Sequence, residues 1–266
     1  MIDVIKAHAY GNDFLYARTS SVDGVRLDEL ARQMCDRHTG IGADGLIVYE
    51  RTTTGATMRL FNADGGRAEV SGNGVRGLGA LLAWHEDRDP LTLVIETEGG
   101  TKTLERIEQD GTRQKFRASM GLPQHVRQER LLIAGEQVSF VALSIGNPQA
   151  LILGPLPDDE RFVRIGSEMA VHPFFPEGTN VEFVHVESPT RVHIRIWERG
   201  VGPSMSSGTG SCASLVAAAT YGGALRDAEV IAPGGGQRVE WLADSVYLTG
   251  WAEVLCEGQW LRPLPR

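Results

Sequence analysis

The chain is short of cysteine, of positive charge and of long apolar runs, and each shortage excludes something. Its three cysteines, Cys35, Cys212 and Cys256, are odd in number and far apart in 266 residues, which is not the spacing of a disulfide framework. A buried free cysteine is most often a small core residue, and all three are expected in that role. Lys and Arg total 26 against 34 Asp and Glu, a formal net charge of −8. Nucleic-acid binding needs a basic patch that displaces counterions from phosphate, and a polybasic membrane face needs the same excess; neither partner is expected. The longest apolar stretches, Leu78–Trp84 and Leu215–Ala219, fall far short of the roughly 20 residues that span a bilayer. The opening Met1-Ile2-Asp3-Val4-Ile5-Lys6-Ala7-His8 lacks the apolar run of a secretory signal, so a cytoplasmic setting is expected. The histidines (His8, His38, His85, His125, His172, His185 and His193) form no HExxH and no tight pair, so no metal is expected.

What the chain has in excess is glycine, 32 residues, and the glycine motifs recur. Tyr10-Gly11-Asn12-Asp13 is echoed by Ile145-Gly146-Asn147-Pro148, and Asp44-Gly45-Leu46 more faintly by Asn180-Val181-Glu182. Arg59-Leu60-Phe61-Asn62 is echoed by Arg195-Ile196-Trp197-Glu198, Ser71-Gly72-Asn73-Gly74 by Ser207-Gly208-Thr209-Gly210, and Gly99-Gly100 by Gly234-Gly235. Every offset is 135 or 136 residues. One Gly-Asn pair would be chance; a shared register implies two homologous halves.

The local patterns fit α/β units. Met58–Phe61 and Val192–Trp197 alternate with period two and read as strands, as do Leu91–Glu96, Val138–Leu143, Ala150–Leu153, Val181–Val186 and Ser245–Leu248. The runs Val75–Trp84 and Ser211–Tyr221 are rich in small apolar residues and read as buried helices, with Ser71 and Ser207 at their N-termini. Asp28–Cys35 reads as a surface helix. The expected fold is α/β, of the α+β kind: two pseudo-symmetric domains, each a β-rich sheet or barrel around one central helix. Their expected extents are residues 1–115 with 255–266, and 116–254.

If the halves pack face to face, two helix N-termini meet one ligand. Each offers unpaired N–H donors and partial positive charge, which suits a carboxylate and stabilises enolate charge at the adjoining carbon. Ser71 and Ser207 would flank that carbon as two acid–base groups. Asn12, Asn62, Asn147, Asn180, Glu198 and Arg199 would add polar contacts, Arg199 to a second carboxylate and Glu198 to an ammonium. Asn62 and Glu198 each stand nine residues before their serine, which favours a site role over that of an ordinary strand end. Serine is also a preferred N-cap, and taken singly each serine reads as a cap; the matched positions add ligand contact.

These residues carry a resemblance. Gly11-Asn12-Asp13-Phe14, Gly40-Ile41-Gly42-Ala43-Asp44, Phe61-Asn62-Ala63-Asp64-Gly65, Ser71-Gly72-Asn73-Gly74-Val75-Arg76, Gly146-Asn147-Pro148, Thr179-Asn180-Val181-Glu182-Phe183, Glu198-Arg199-Gly200 and Gly208-Thr209-Gly210 together resemble diaminopimelate epimerase. The resemblance implies two pseudo-symmetric domains with the site between them, and cofactor-independent interconversion of LL- and meso-diaminopimelate in lysine and cell-wall synthesis. It implies that Asn12, Asn62, Asn147, Asn180, Glu198 and Arg199 hold an amino diacid, that Gly72, Asn73, Gly208 and Thr209 hold the carboxylate at the reacting centre, and that a homodimer is one expected assembly.

The departures are specific. The family places cysteine, as a thiol–thiolate pair, where Ser71 and Ser207 stand. It usually has histidine at Gln149, Glu-Thr at Pro203-Ser204 and arginine at Gly178. A hydroxyl is a far weaker acid than a thiol, and Gln149 offers no base in its place, so the thiol mechanism cannot operate. Three readings stay open: serines placed to trap a ligand; a natural branch in which serines, helix dipoles and Glu198 perform slow or altered proton transfer; and an amino-diacid-binding protein without turnover. A related isomerase or dehydratase of the same fold, needing one base, is a further alternative. Gly208-Thr209-Gly210-Ser211-Cys212-Ala213 also matches a dinucleotide fingerprint, but Glu198–Ser206 separates it from its strand, where the fingerprint follows its strand directly. No cofactor is expected.

Overall fold

The computed structural model describes residues 1–84 and 91–265; His85 lies outside them. The chain divides into two compact units, Met1–Ala118 with Gly250–Arg266, and Ser119–Thr249.

In the first unit, β1 (Ile2–Ala9) and β2 (Asn12–Arg18) form an antiparallel hairpin in which Ala9 faces Asn12. Its two turn residues, Tyr10 and Gly11, have φ of 54° and 87°, the left-handed pair that a two-residue hairpin turn demands. The helix α1 (Leu27–Cys35) crosses over to β3 (Gly45–Arg51), parallel to β2. Then come β4 (Gly55–Asn62), antiparallel to β3, and the short β5 (Arg67–Ala68) beside it. The helix α2 (Gly72–Ala83) follows, then β6 (Thr92–Thr97) parallel to β4, β7 (Gly100–Asp110) and β8 (Arg113–Ser119).

The second unit opens with β9 (Gln124–Ile133) and then repeats the plan element for element. β10 (Glu136–Ser144) pairs antiparallel with β11 (Pro148–Leu153), and α3 (Asp159–Ala170) crosses over to β12 (Asn180–Ser188), parallel to β11. Antiparallel β13 (Arg191–Glu198) and the short β14 (Gly202–Ser204) lead to α4 (Gly208–Ala217). β15 (Asp227–Ala232) lies parallel to β13, followed by β16 (Gly235–Trp241) and β17 (Val246–Trp260). Beyond Gly250, β17 belongs to the first unit, where Trp260 faces Ile2 on β1.

The helices α2 and α4 are buried at every residue. α4 packs on β10, β11, β12, β13, β15 and β16, and α2 on β1, β2 and β7, so each is a central helix in a barrel-like wrap of strands. Intrinsic propensity does not explain α2: Gly72, Gly74, Gly77 and Gly79 each disfavour helix by about 1 kcal/mol relative to Ala. Burial of Val75, Leu78, Leu81 and Leu82, roughly 1.5–3 kcal/mol apiece, holds it instead.

Three features differ from expectation. α3 is a second helix in its half that apolar runs did not signal, because only its Phe162, Ile165, Met169 and Ala170 stripe enters the core with Phe140 and Phe183. β17 is 15 residues long, not four. Cys35 and Cys212 are buried, but Cys256 is exposed; it faces Lys6 where a register shift interrupts the β1–β17 ladder.

Candidate functional site

Ser71 and Ser207 occupy equivalent places. Each is the extended residue before its buried helix, and each hydroxyl accepts the third helical N–H, from Gly74 and Gly210 at 3.1 Å in both cases. Both are therefore true N-caps. The first two N–H groups of each helix, on Gly72 and Asn73 and on Gly208 and Thr209, are the donors that suit an anion.

In the first unit, Asn12 sits directly after the hairpin turn. It donates to Asp44 Oδ2 at 2.7 Å and accepts from Asn73 Nδ2 at 3.0 Å, which ties the Gly-Asn turn to the helix start; Arg76 in turn donates to Asn73. Asn62 ends β4 opposite Gly45. Around Asp44 lies a charged network absent from the expected site: Arg37 donates to Asp13 and Asp44, both at 2.8 Å, and Lys6 pairs with Asp13 at 2.9 Å. Burial works against ionisation of Asp13, yet hydrogen bonds from Arg37 and Lys6 outweigh it and hold the carboxyl below its usual range. Burial raises Asp44, with the charge of Asp13 adding to the rise.

In the second unit, Asn147, Gln149, Glu182, Ser207 and Thr209 are all buried. The Gln149 amide has two orientations 180° apart: with its NH2 toward Glu182 it donates to both carboxyl oxygens, at 3.0 and 3.1 Å, and its carbonyl accepts from Thr209 Oγ1 at 3.2 Å, whereas the opposite orientation donates to Asn147 Oδ1 at 2.7 Å. Thr209 Oγ1 lies 3.5 Å from Ser207 Oγ. Burial drives the Glu182 carboxyl well above the ordinary range, and Glu198 pushes in the same direction. Asn180 Oδ1 accepts the backbone N–H of Arg199 at 2.9 Å, and the Arg199 guanidinium donates to the Glu177 carbonyl at 2.6 Å. Gly178 has φ of 75°, and a Cβ there would stand 2.8 Å from Arg199 Cδ. The glycine thus lets Arg199 lie across it.

Sheet register corrects one echo. Phe14 faces Gly45 as Gln149 faces Asn180, so the equivalent of Asn180 is Gly45 and not Asp44, and the equivalent of Glu182 is Ile47. The same correspondence appears at the helices, where a Cβ on Gly74 would meet Ile47 Cδ1 first and a Cβ on Gly210 would meet Glu182 Oε1 first. Glu182 and Asp44, with Asp13 and Arg37 beside Asp44, are polar groups that sequence reasoning did not assign. A charged residue in a strand as apolar as Val181–Val184, buried throughout, is the signal that could have found Glu182.

Among the described residues no cluster of His, Cys, Asp and Glu could hold a metal, and no described helix is long and apolar enough to cross a membrane.

Two matched units, each with a capped, glycine-lined helix start beside an Asn-bearing turn, make up a duplicated fold of strands wrapped around central helices. Its likeness to solved structures includes a hydroxyproline epimerase from Agrobacterium vitis (TM-score 0.72, 15% identity, 97% of this chain and 90% of that one). A methylitaconate-delta-isomerase shares it as well (TM-score 0.62, 13% identity, 97% and 94%). At the level of sequence, residues 4–126 and 141–255 match the family described as diaminopimelate epimerase. The diaminopimelate epimerase of Desulforudis audaxviator is 39% identical over 282 residues, covering 98% of this chain and 100% of that protein. The chain belongs to the diaminopimelate epimerase family.

Proposed function

We propose that this chain is a cofactor-independent isomerase that moves a proton at the α-carbon of an amino diacid of the diaminopimelate class. The observation that carries this reading is the pair of equivalent helix starts, Ser71-Gly72-Asn73 and Ser207-Gly208-Thr209, each capped by its serine through an N–H···O bond of 3.1 Å. The helix-start N–H groups of Gly72 and Asn73, and of Gly208 and Thr209, bind the carboxylate beside the reacting carbon and stabilise the enolate formed when the C–H bond breaks. Ser71 and Ser207 stand where the family carries its thiols and exchange the proton slowly. Asn12, Asn62, Asn147, Asn180, Glu198 and Arg199 hold the remainder of the substrate, with Gln149 fixing Asn147 and Thr209.

Incubation with LL-diaminopimelate in deuterated water tests the reading. Deuterium at the α-carbon supports it; no label and no stereochemical change at any protein concentration rejects catalysis on this substrate. A second reading, a one-base isomerase of an unsaturated or hydroxylated acid, is favoured by one observation: the carboxyl of Glu182 stands where the first unit has Ile47. A diacid-binding protein without turnover would give tight binding in calorimetry and no exchange.

A further inference from the structure

The two serines are alike as caps but unlike in what stands behind them. Behind Ser71, the position against the helix is taken by Ile47, with Phe14 on the neighbouring strand facing Gly45. Both are apolar and buried, and neither can accept or release a proton. Behind Ser207, the same two positions are Glu182 and Gln149. A Cβ on Gly210 would collide with Glu182 Oε1 and stand 3.0 Å from Ser207 Oγ, so the carboxyl and the hydroxyl flank one point on the first turn of α4. The two oxygens therefore lie about 5 Å apart or less, a span that one water can bridge. The carboxyl is oriented by the Gln149 amide, which is oriented in turn by Thr209 and Asn147.

We propose that Glu182 is a positioning acid–base group of the second unit, exchanging protons with the ligand only through the Ser207 hydroxyl, and that among the described residues no carboxyl stands behind Ser71, where the titratable group at the first turn is Tyr16, its hydroxyl donating to the Gly74 carbonyl at 2.9 Å. This deepens the function proposed above and rests on its assignment of Ser207. In the forward step the substrate C–H bond breaks and its electron pair enters the enolate of the held carboxylate. In molecules whose Glu182 is ionised, the proton goes to Ser207 Oγ as the hydroxyl's own proton moves to the Glu182 carboxylate. The reverse step returns a proton to the same face. One-sided transfer exchanges the α-hydrogen with retention, so exchange outruns inversion. Desolvation makes the Glu182 carboxylate a stronger base than an exposed one, and Glu198 on β13 is the titratable neighbour acting on it.

The test needs no substrate in its first arm. Ser207→Cys and Ser71→Cys, made separately, each place one thiol at a helix start, and its iodoacetamide rate is followed against pH by peptide mass spectrometry. The Ser207→Cys thiol is expected to titrate in two coupled steps, reduced to one by Glu182→Gln, with alkylation about tenfold faster at pH values where Glu182 is ionised, one unit of thiol pKa. The Ser71→Cys profile is expected to have one step and to stay within about twofold under Glu182→Gln. As a second measurement, the infrared band of the protonated Glu182 carboxyl in the otherwise unaltered chain should disappear at a different pH in Ser207→Ala and at the original pH in Ser71→Ala. A Ser207→Cys profile indifferent to Glu182→Gln, or a band indifferent to Ser207→Ala, overturns the proposal. With LL-diaminopimelate, deuterium uptake at least tenfold faster than inversion and lost in Glu182→Gln is the supporting result; inversion as fast as uptake overturns it. Coupled thiols without any deuterium uptake would reject the substrate assignment while leaving the link between Glu182 and Ser207 standing.

Discussion

Ile47 and Glu182 occupy the same place in the two halves of a duplicated chain, each the first group that a side chain on the third helical residue would meet. Duplication has therefore preserved the backbone that presents a helix start while the chemistry behind it diverged. Gln149 follows the same rule against Phe14.

Glu182 makes stability fall as pH rises. Burial pushes its carboxyl well above the usual carboxylate range near 4.5 in the folded state, so the folded state binds the proton more tightly than the unfolded chain. The contribution is complete below pH 4.5 and is lost as pH climbs toward the folded value, at a limit of about 1.4 kcal/mol per pH unit. Urea melts across pH 4 to 8 should show this component, and Glu182→Gln should remove it.

The Asp13 carboxyl acts in the opposite sense. Its titration is depressed below 3.8, so its contribution is present above that pH and lost as the solution is acidified through the folded value. Arg37→Gln withdraws the charge shared by Asp13 and Asp44. It is expected to cost about 1–3 kcal/mol at pH 7, and acid unfolding should then begin at a higher pH, as followed by circular dichroism.

Caps can be separated from chemistry. Ser71→Ala and Ser207→Ala each remove one N-cap bond and should each cost about 1 kcal/mol in denaturant melts. The two losses should be alike, since both caps have the same 3.1 Å geometry. Their effects on deuterium exchange should differ, with Ser207→Ala the more damaging.

Gly178→Arg introduces a side chain at a left-handed φ of 75°, against Arg199 Cδ at 2.8 Å. It should destabilise the second unit by about 1–3 kcal/mol. It should also displace the Arg199 guanidinium from Glu177, which calorimetry with a diacid would register as weaker binding.

The double change Ser71→Cys with Ser207→Cys supplies thiols whose acidity lies far closer to neutral than that of a hydroxyl. Exchange and inversion of LL-diaminopimelate are both expected to rise, by about 100-fold or more, in a discontinuous stereochemical assay. No rise would place the defect beyond these two atoms.

Much of this was legible in the sequence because the repeat leaves its mark where backbone geometry demands particular residues. Gly11 and Gly146 have left-handed φ values of 87° and 90°, and Ser71 and Ser207 are caps, so these positions echo even as the strands between them drift. The echo at Asp44 slipped by one residue because sequence comparison cannot see which residue faces its neighbour across a sheet; the pairing of Gly45 with Phe14 can. α3 stayed hidden because most of its surface is polar and only one stripe is apolar. Glu182 was passed over because nothing in a linear pattern tells which side of a strand meets a central helix, and a lone carboxylate in a strand usually points to water.

β17 is one uninterrupted strand that completes two units in turn, its last residues closing the sheet begun by Ile2. During synthesis the opening strand, paired with β2 on one side, must wait with its other edge open until the entire second unit has been made and its sequel has left the ribosome. The half translated first is thus the half that finishes last, and no single cut in the chain can release either half intact.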